Sequence, residues 1–461
     1  MVDGSQNAPR LVLNILFVAC PDEENESGGI LAAIYQLNLW RSKHQLQYLG
    51  IINADYTAPR SDDQSERYIY TGVVGKLLPS FYVLGDTTHV GEPFRGVDAG
   101  QIAAELVSQL NLNSEFSDVW SGTSDMKKEV AVPPMTLKVR DLKRGYNVQT
   151  AEAAFVYANW LTYQKSPDQA LRDMKRAAEH ALNAVENCRQ SQYVAFKARG
   201  GQEPAPRKQE VVVLDYAELC EKVRAARGWR KASSDLSQDP LVVWLNSLAC
   251  DYRAQTGQHR PDKWALDARF ATASDNREIS RLLVDHLVKE AQIKGPAIVI
   301  FFSPPYYPHI QPQENQITKA LEIVLRQLDT KESSSLRHPL ETTQTLGSGE
   351  QHIQLRGFYP YISDLSYVRL EIGSTELQAL THNMPLFGCG YWLDFQAMRE
   401  LDCAVVNIGP WGKDAHGLYE RIHMPYSFEV VPQIIYETLV EVLTEQMDST
   451  PAADLLTMGL R

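Results

Sequence analysis

The opening of the chain alternates between strand-like and helix-like segments, and this restricts the fold more than any other feature. Residues 11–20 form an apolar run, residues 30–43 are rich in Leu, Ala and Ile at helical spacing, and residues 46–52 are apolar again. Strand, helix and strand in this order make up the repeating unit of a parallel sheet. The same alternation returns in the second half of the chain. The sequence therefore predicts an α/β protein with a mostly parallel sheet.

Chain length and a break in this alternation predict two domains. A chain of 461 residues, 44% of them hydrophobic, exceeds what a single core usually holds. The alternation stops near Gly72 and resumes beyond the linker-like stretch GGQEPAPR at residues 200–207. We therefore predict a catalytic domain formed by residues 1–70 and 216–461. A smaller α+β lid domain, with two helices on an antiparallel sheet, interrupts it at residues 71–215.

Charge and cysteine spacing exclude several classes of function. The formal net charge of −12 is spread along the chain, which disfavours nucleic acid or an anionic membrane as the partner. No run of 18 apolar residues exists, and the first ten residues lack the basic start and apolar stretch of a secretory signal. The six cysteines show no CxxC spacing, so they indicate neither a disulfide framework nor a thiolate zinc site. The sequence predicts a cytoplasmic protein that acts on a small molecule or another chain.

Acidic residues collect at the ends of the predicted strands, where ligands bind in open parallel sheets. The residues at these ends are Asp22, Glu23, Glu24, Asp55, Asp364, Asp414, His416 and Glu420. Clustered carboxylates need a cation or protons, and carboxylate oxygens with one imidazole suit zinc, manganese or cobalt. Two alternatives stay open here. An acid after a strand often caps a helix, which could explain Asp22 or Asp55, and His416 could be an ordinary surface histidine.

Three of these segments resemble the dinuclear zinc aminoacylase and peptidase superfamily, which includes carboxypeptidase G. LFVACPDEENESGG is similar to the block in which one glutamate is the general base and the next binds a metal; the resemblance assigns these roles to Glu23 and Glu24. INADYTAP resembles the block whose acid binds the other metal, here Asp55, and GPWGKDAHGLYE resembles the block whose histidine is the last ligand, here His416. The resemblance implies zinc as cofactor, with manganese or cobalt as alternatives. It also implies hydrolysis of an amide bond in an N-acyl amino acid or short peptide.

Two further blocks imply that the lid takes part in the reaction. GDTTHVGEPFRGVDAG resembles the lid segment whose histidine polarises the substrate carbonyl, usually from the partner subunit, and this histidine is His89. YNVQT resembles the lid segment whose asparagine touches the substrate, here Asn147. The resemblance therefore implies a homodimer through the lid. We expect the contact to involve mainly residues 99–112 or 148–163.

Four more blocks resemble one branch of this superfamily, the RocB branch of predicted deacylases linked to arginine utilisation. In chain order they are RYIYTGVVGKLLPSFYVLG, FFSPPYYPH, FYPYISDLSY and VVNIGPWGKDAH. The resemblance runs from about residue 11 to about residue 441. It implies that Asp364 and His309 line the substrate pocket and that Tyr306, Tyr307 and Tyr359 form its walls.

One part of the superfamily pattern has no counterpart in this sequence. Before the paired glutamates, members carry a His-x-Asp ligand motif and then a block whose aspartate bridges the two metals. None of the eleven histidines here is followed by x-Asp. We therefore predict weak metal binding, with fewer than two ions per chain. Two hypotheses stay open: the sequence is a shortened form of an active hydrolase, or it is an inactive relative that serves as a ligand-binding or dimerising module.

Overall fold

The computed structural model describes residues 14–24, 26–60, 66–122, 127–207, 209–230, 239–257, 275–331 and 353–449. None of the helices in these ranges is long and apolar enough to cross a membrane. The strands are β1 Ile51–Asn53, β2 Arg67–Val73, β3 Gly75–Leu77, β4 Pro79–Leu84, β5 Val119–Trp120, β6 Glu129–Val130, β7 Met135–Asp141, β8 Ala153–Thr162, β9 Val212–Asp215, β10 Ala297–Phe302, β11 Ile353–Tyr359, β12 Val405–Asn407, β13 Gly412–Lys413 and β14 Arg421–Ile422. The α-helices are α1 Gly28–His44, α2 Ala99–Leu110, α3 Pro167–Ala198, α4 Tyr216–Arg227, α5 Pro240–Gly257, α6 Asn276–Glu290, α7 Gln316–Lys331, α8 Ser374–His382, α9 Phe395–Leu401 and α10 Val431–Ser449.

The first sheet has four strands in the order β1, β12, β2, β11. β1 runs parallel to β12 and β2 runs parallel to β11, while β12 meets β2 antiparallel through Asn407 and Tyr70. The apolar faces of α7 and α10 pack beside this sheet in a second, smaller core that includes Ile69, Leu321 and Ile434. The predicted α/β class with a mostly parallel sheet is confirmed. Because β1 and β12 are parallel, the segments that follow them leave the sheet at the same edge.

The second sheet is mainly antiparallel. β8 lies between β4 and β7, β4 pairs on its other side with β10, and β10 runs parallel to β9. β4 and β10 are buried along their whole length. α2 and α3 cover the sheet, and α2 buries its apolar face, which includes Ile102, Leu106 and Leu110. Two helices on an antiparallel sheet thus occur within residues 71–215, although β10 joins the same sheet from later in the chain. The division into domains at residues 71 and 215 stays a prediction.

The predicted strand at residues 11–20 is wrong within the part of it that the structure describes. Residues 14–20 form no strand, and Ile15 and Phe17 are 74% and 88% exposed; residues 11–13 lie outside the described ranges. Strand preference depends on cross-strand neighbours, and no described strand pairs with this segment. The next two elements follow the prediction more closely. α1 contains the predicted helix at residues 30–43, and β1 starts at the end of the apolar run at residues 46–52.

Candidate active site

Glu23 and Glu24 lie in a tight loop that leads into α1. Three non-glycine residues of this loop adopt left-handed backbone conformations, namely Asp22, Glu26 and Ser27, with φ of 61°, 66° and 58°. Each such conformation costs about 1 to 3 kcal/mol and persists only where surrounding contacts hold it, which is common at functional sites. The backbone of this loop therefore marks it as a candidate site independently of its charges.

Contacts with α6 and with the loop's own start hold this conformation. Asn276 Nδ2 donates to both carboxylate oxygens of Glu26 at 3.1 and 2.9 Å, and Arg277 Nη1 donates to Glu26 Oε1 at 3.1 Å. The Gly29 N–H donates to the Pro21 carbonyl oxygen at 3.0 Å. A Cβ atom at Gly29 would lie 2.3 Å from that oxygen, so the turn requires glycine. Glu26 therefore anchors the loop, while Glu23 and Glu24 are left for other roles.

Asp55 lies just beyond β1 and is fixed by the residue that ends β12. Asn407 Nδ2 donates to the Asp55 carbonyl oxygen at 3.1 Å, and the Asp55 N–H donates to Asn407 Oδ1 at 3.1 Å. The Tyr56 N–H donates to Asp55 Oδ1 at 2.7 Å. Burial raises the pKa of Asp55, and the Tyr56 N–H opposes that rise because it stabilises the charged carboxylate. The parallel pairing of β1 and β12 thus positions this carboxyl group.

The loop between β13 and β14 brings His416 to Glu24. His416 Nε2 lies 3.4 Å from Glu24 Oε1, and the two side chains are 78% and 77% exposed. His416 and Asp414 adopt left-handed conformations with φ of 61° and 57°, and the His416 N–H donates to Glu420 Oε2 at 3.2 Å. Segments from opposite ends of the chain therefore place one carboxylate and one imidazole side by side, as a shared site requires. Their role as metal ligands stays a prediction.

Glu23 is partly buried, and four of the other predicted site residues influence its pKa. Burial is the largest effect on its pKa, and the charges of Glu24, Asp55 and Asp364 add to it, whereas His416 acts in the opposite direction. Together they raise the pKa of Glu23 to about 7. A carboxyl group with this pKa gains and loses a proton near neutral pH, which is the property that a general base or acid needs.

Asp364 lies in the short 3-10 turn that follows β11. Burial raises the pKa of Asp364, while the neighbouring Ser27 hydroxyl and Cys20 thiol lower it. Its Oδ1 atom is buried and has no hydrogen-bond partner among the residues that the structure describes. A buried oxygen without a donor costs free energy unless a ligand or water reaches it. Asp364 therefore has an acceptor to offer a substrate, and its predicted role in the pocket stays a prediction.

The two predicted lid residues, His89 and Asn147, lie together on an exposed surface. The Val90 N–H donates to the Val148 carbonyl oxygen at 2.9 Å, and His89 pairs with Gln149 in an isolated β-bridge. The Gly91 N–H donates to His89 Nδ1 at 3.0 Å, and His89 is exposed. Within the described ranges, these contacts tie His89 to the lid surface and do not join it to the loop of Glu23. Its predicted role in catalysis stays a prediction.

His309 lies in the interior beside Asp118. It is 5% exposed, and burial lowers its pKa to about 4, with a smaller opposing effect from the charge of Asp118. The side chain is therefore neutral at pH 7. Its predicted place in the substrate pocket stays a prediction.

Three residues that contribute to the candidate site were missed by sequence reasoning. Ser27 donates to Tyr307 Oη at 3.3 Å, Asn276 binds Glu26, and Lys76 packs over Tyr307 with its Nζ atom 5.7 Å from the ring centre. Only Lys76 carried a usable signal, because it is the single charged residue in the run VVGKLLPSFYVLG. Ser27 and Asn276 have ordinary sequence contexts, and only packing reveals their roles.

The residues in place do not complete a metal site. Carboxylate oxygens and an imidazole nitrogen are ligands that zinc accepts, and Glu24 and His416 form such a pair. In the described ranges, however, no three His, Cys, Asp or Glu side chains lie close enough together to hold a metal ion. A catalytic zinc site commonly takes three ligands from the protein. We therefore derive no step of the reaction through a metal.

The sequence is similar to two proteins of Bacillus subtilis (strain 168). Protein RocB is 29% identical over 440 residues, which cover 95% of this chain and 69% of RocB. This chain resembles RocB over nearly its whole length. The resemblance to the RocB branch predicted from four sequence blocks is thus confirmed. The uncharacterized protein YqjN is also 29% identical over 440 residues, covering 94% of this chain and 69% of YqjN. No protein-family model matches the chain.

Matches to solved structures are more distant than the match to RocB. Aminopeptidase PepT from Bacillus cereus shares 12% identity at a TM-score of 0.24, over 41% of this chain and 49% of PepT. Aminoacylhistidine dipeptidase from Vibrio alginolyticus shares 11% identity at a TM-score of 0.21, over 87% of this chain and 66% of the dipeptidase. The chain thus spans about half the length of PepT. At TM-scores this low, neither match carries an argument about fold or activity.

Proposed function

We propose that this chain is a hydrolase that cleaves an amide bond of an N-acyl amino acid or short peptide. The observation that carries the proposal is the Glu23 carboxyl group, whose pKa is raised to about 7 by burial and by three neighbouring carboxylates. The resemblance to the zinc aminoacylase and peptidase superfamily, and to RocB in particular, supports the same reaction. A role in arginine breakdown and a cytoplasmic location belong to this proposal.

In the proposed reaction Glu23 moves one proton twice. It first accepts a proton from a water molecule whose oxygen attacks the amide carbonyl carbon. The C–N bond then breaks, and Glu23 returns the proton to the leaving nitrogen, so that the products are a carboxylic acid and an amine. Asp364 Oδ1, which is buried without a partner in the described ranges, can accept a hydrogen bond from the substrate.

We also propose that the chain binds zinc, or manganese or cobalt in its place. A substitution in the pair formed by Glu24 and His416 tests this. We expect the chain to bind fewer than two zinc ions and to bind them weakly. His416→Ala should lower the zinc affinity at least about ten-fold, because it removes one of two neighbouring ligands. Calorimetric titration against a competing chelator measures the number of zinc ions bound and their affinity.

His44→Ala, on an exposed histidine at the end of α1, is the control and should bind zinc like the wild type. Unchanged zinc binding by His416→Ala would exclude the site.

A second candidate function is a ligand-binding or dimerising module without turnover. The observation in its favour is that Glu24 and His416 form a pair and not a three-ligand group in the described part of the chain. Amine release from N-acetyl amino acids distinguishes the two candidates when it is measured together with binding. Binding without amine release, in the presence of excess zinc, supports the module; steady amine release supports the hydrolase.

A homodimer through the lid is also proposed, with strand β7 added to the predicted contacts at residues 99–112 or 148–163. The helix at residues 99–112 buries its apolar face against its own sheet, and β8, which occupies most of residues 148–163, lies between β4 and β7. Strand β7 is exposed, and its Met135, Leu137 and Val139 are 42%, 56% and 51% exposed. An exposed apolar strand edge is suited to pairing with a second copy. Such a dimer could bring the exposed His89 to a partner's site.

Light scattering tests the dimer. We expect a species of twice the 51.9 kDa chain mass at micromolar concentration, and Leu137→Lys should shift it to the monomer because a charge at the centre of the strand edge opposes pairing. Leu39→Lys is the matched control, since Leu39 on α1 is 57% exposed, almost the same as Leu137. A wild-type chain that runs only as a monomer contradicts the proposal.

A further inference from the structure

Lys76 is a partly buried lysine at the wall of the candidate site. Its strand, β3, is fixed to the neighbouring segment because the Lys76 N–H donates to the Tyr307 carbonyl oxygen at 2.8 Å and the Tyr307 N–H donates to the Lys76 carbonyl oxygen at 3.1 Å. The side chain extends over the Tyr307 ring, with Nζ 5.7 Å from the ring centre. On the other end of that ring, Tyr307 Oη accepts a hydrogen bond from Ser27 at 3.3 Å. One aromatic ring therefore separates Lys76 from the loop that carries Glu23.

The ammonium group of Lys76 makes no hydrogen bond or ion pair with any residue in the described ranges. The charges of Glu26 and Glu23 raise the pKa of Lys76, but each has a smaller effect than burial or the charge of Arg277. Glu26 is already bound by Asn276 and Arg277. Burial lowers the pKa of Lys76, and the charge of Arg277 lowers it further, so the protein makes the charged form of this lysine costly. A cation kept in this position without a partner has capacity to bind an anion.

We propose that Lys76 Nζ binds the carboxylate of the amino-acid portion of the substrate and so determines specificity for free acids. This inference rests on the proposed function. In an N-acyl amino acid, the amide nitrogen and the α-carbon separate the scissile carbonyl from the carboxylate. A substrate whose carbonyl lies at Glu23 therefore extends its carboxylate only a short distance, along the Tyr307 ring toward Lys76. The substrate carboxylate forms an ion pair with the Lys76 ammonium group. This ion pair is strong because the site is partly removed from water.

Charge also favours this orientation of the substrate. The opposite side of the site is acidic, since Glu24, Asp55 and Asp364 all raise the pKa of Glu23 there. A carboxylate placed among them would be repelled, whereas Lys76 and Arg277 form the cationic side. Arg277 is engaged with Glu26 and with the Pro304 carbonyl oxygen, so of these two cations Lys76 is the one whose charged group has no hydrogen bond or ion pair in the described ranges. The amide bond is then presented to Glu23 in a single direction.

Binding measurements on the full chain test this inference with N-acetyl-L-amino acids and the corresponding N-acetyl-L-amino acid amides, which lack the negative charge. The wild type should bind the acid at least about ten-fold more tightly than the amide, because only the acid forms the ion pair. Lys76→Met should remove this preference by weakening acid binding and leaving amide binding unchanged. Lys76→Arg keeps the charge and should retain most of the preference. Lys289→Met, on an exposed lysine near the end of α6, is the control and should behave like the wild type.

The outcomes separate this inference from the proposed function. Hydrolysis or binding of both ligands without a preference for the acid overturns the role of Lys76 and leaves the hydrolase in place. A preference that survives in Lys76→Met also overturns it, since another cation must then bind the carboxylate. A wild-type chain that neither binds nor cleaves any N-acyl compound overturns the proposed function, and the inference with it. If Lys76→Met does not fold, the role of Lys76 is still tested by the wild-type preference for the acid over the amide and by the preference of the Lys76→Arg variant.

Discussion

Glu23→Gln is expected to lower kcat for hydrolysis of an N-acetyl amino acid by about 10² to 10⁴-fold, the usual contribution of a general base. The amide keeps the shape of the glutamate side chain but cannot accept a proton from water. Zinc binding should be retained, because Glu24 and His416 are untouched. Release of the free amine, followed with zinc present, measures the turnover, and calorimetric titration measures the retained binding.

The pH dependence of the reaction provides a check on the same assignment. Glu23 must be charged to accept a proton, and its pKa is raised to about 7. The wild-type rate should therefore rise as the pH increases through about 7; a bound cation would move this rise to lower pH because it stabilises the carboxylate. Glu23→Gln should lose this rise. Glu115→Gln, on an exposed turn after α2, is the matched control and should keep both rate and profile. Full turnover in Glu23→Gln would assign the base to another residue.

Gly409→Ala is expected to destabilise the protein by about 3 kcal/mol, because a new Cβ atom would overlap the backbone of a neighbouring strand end. At this position a Cβ lies 1.6 Å from the Asp55 carbonyl oxygen and 2.5 Å from its carbon. Both are main-chain atoms held by Asn407, so neither can move aside without loss of these hydrogen bonds. Urea denaturation followed by circular dichroism measures the free energy of unfolding.

The matched control for this substitution is Gly145→Ala. A Cβ atom at Gly145 meets no atom within 4 Å, so the free energy of unfolding should change by less than about 0.5 kcal/mol. Gly409→Ala should also weaken zinc binding, since the segment from Gly409 through β13 leads into the loop that carries His416 to Glu24. A Gly409→Ala protein with wild-type stability would show that the approach of these two segments is looser than the structure describes.

The sequence was sufficient to predict the helix and the strand that follow the loop of Glu23. Helix α1 contains the predicted helix at residues 30–43, because its apolar residues recur at helical spacing, and β1 begins within the predicted apolar run at residues 46–52. It was not sufficient for residues 14–20. Ile15 and Phe17 have the composition of a buried strand and yet are exposed, since pairing with a neighbour is a property of the tertiary structure and not of the segment.

By itself, the sequence determined the α/β class, the resemblance to the RocB branch and the positions of Asp55 and Asp364 just beyond strands. Only the tertiary structure decided how those acids act on one another. It placed His416 within 3.4 Å of Glu24 from the far end of the chain, and it raised the pKa of Glu23 by burying it among other carboxylates. It also buried His309 in the core and placed Lys76 over Tyr307. The physical reason is the same in each case: charge interactions and burial depend on distances across the fold, which spacing along the chain does not specify.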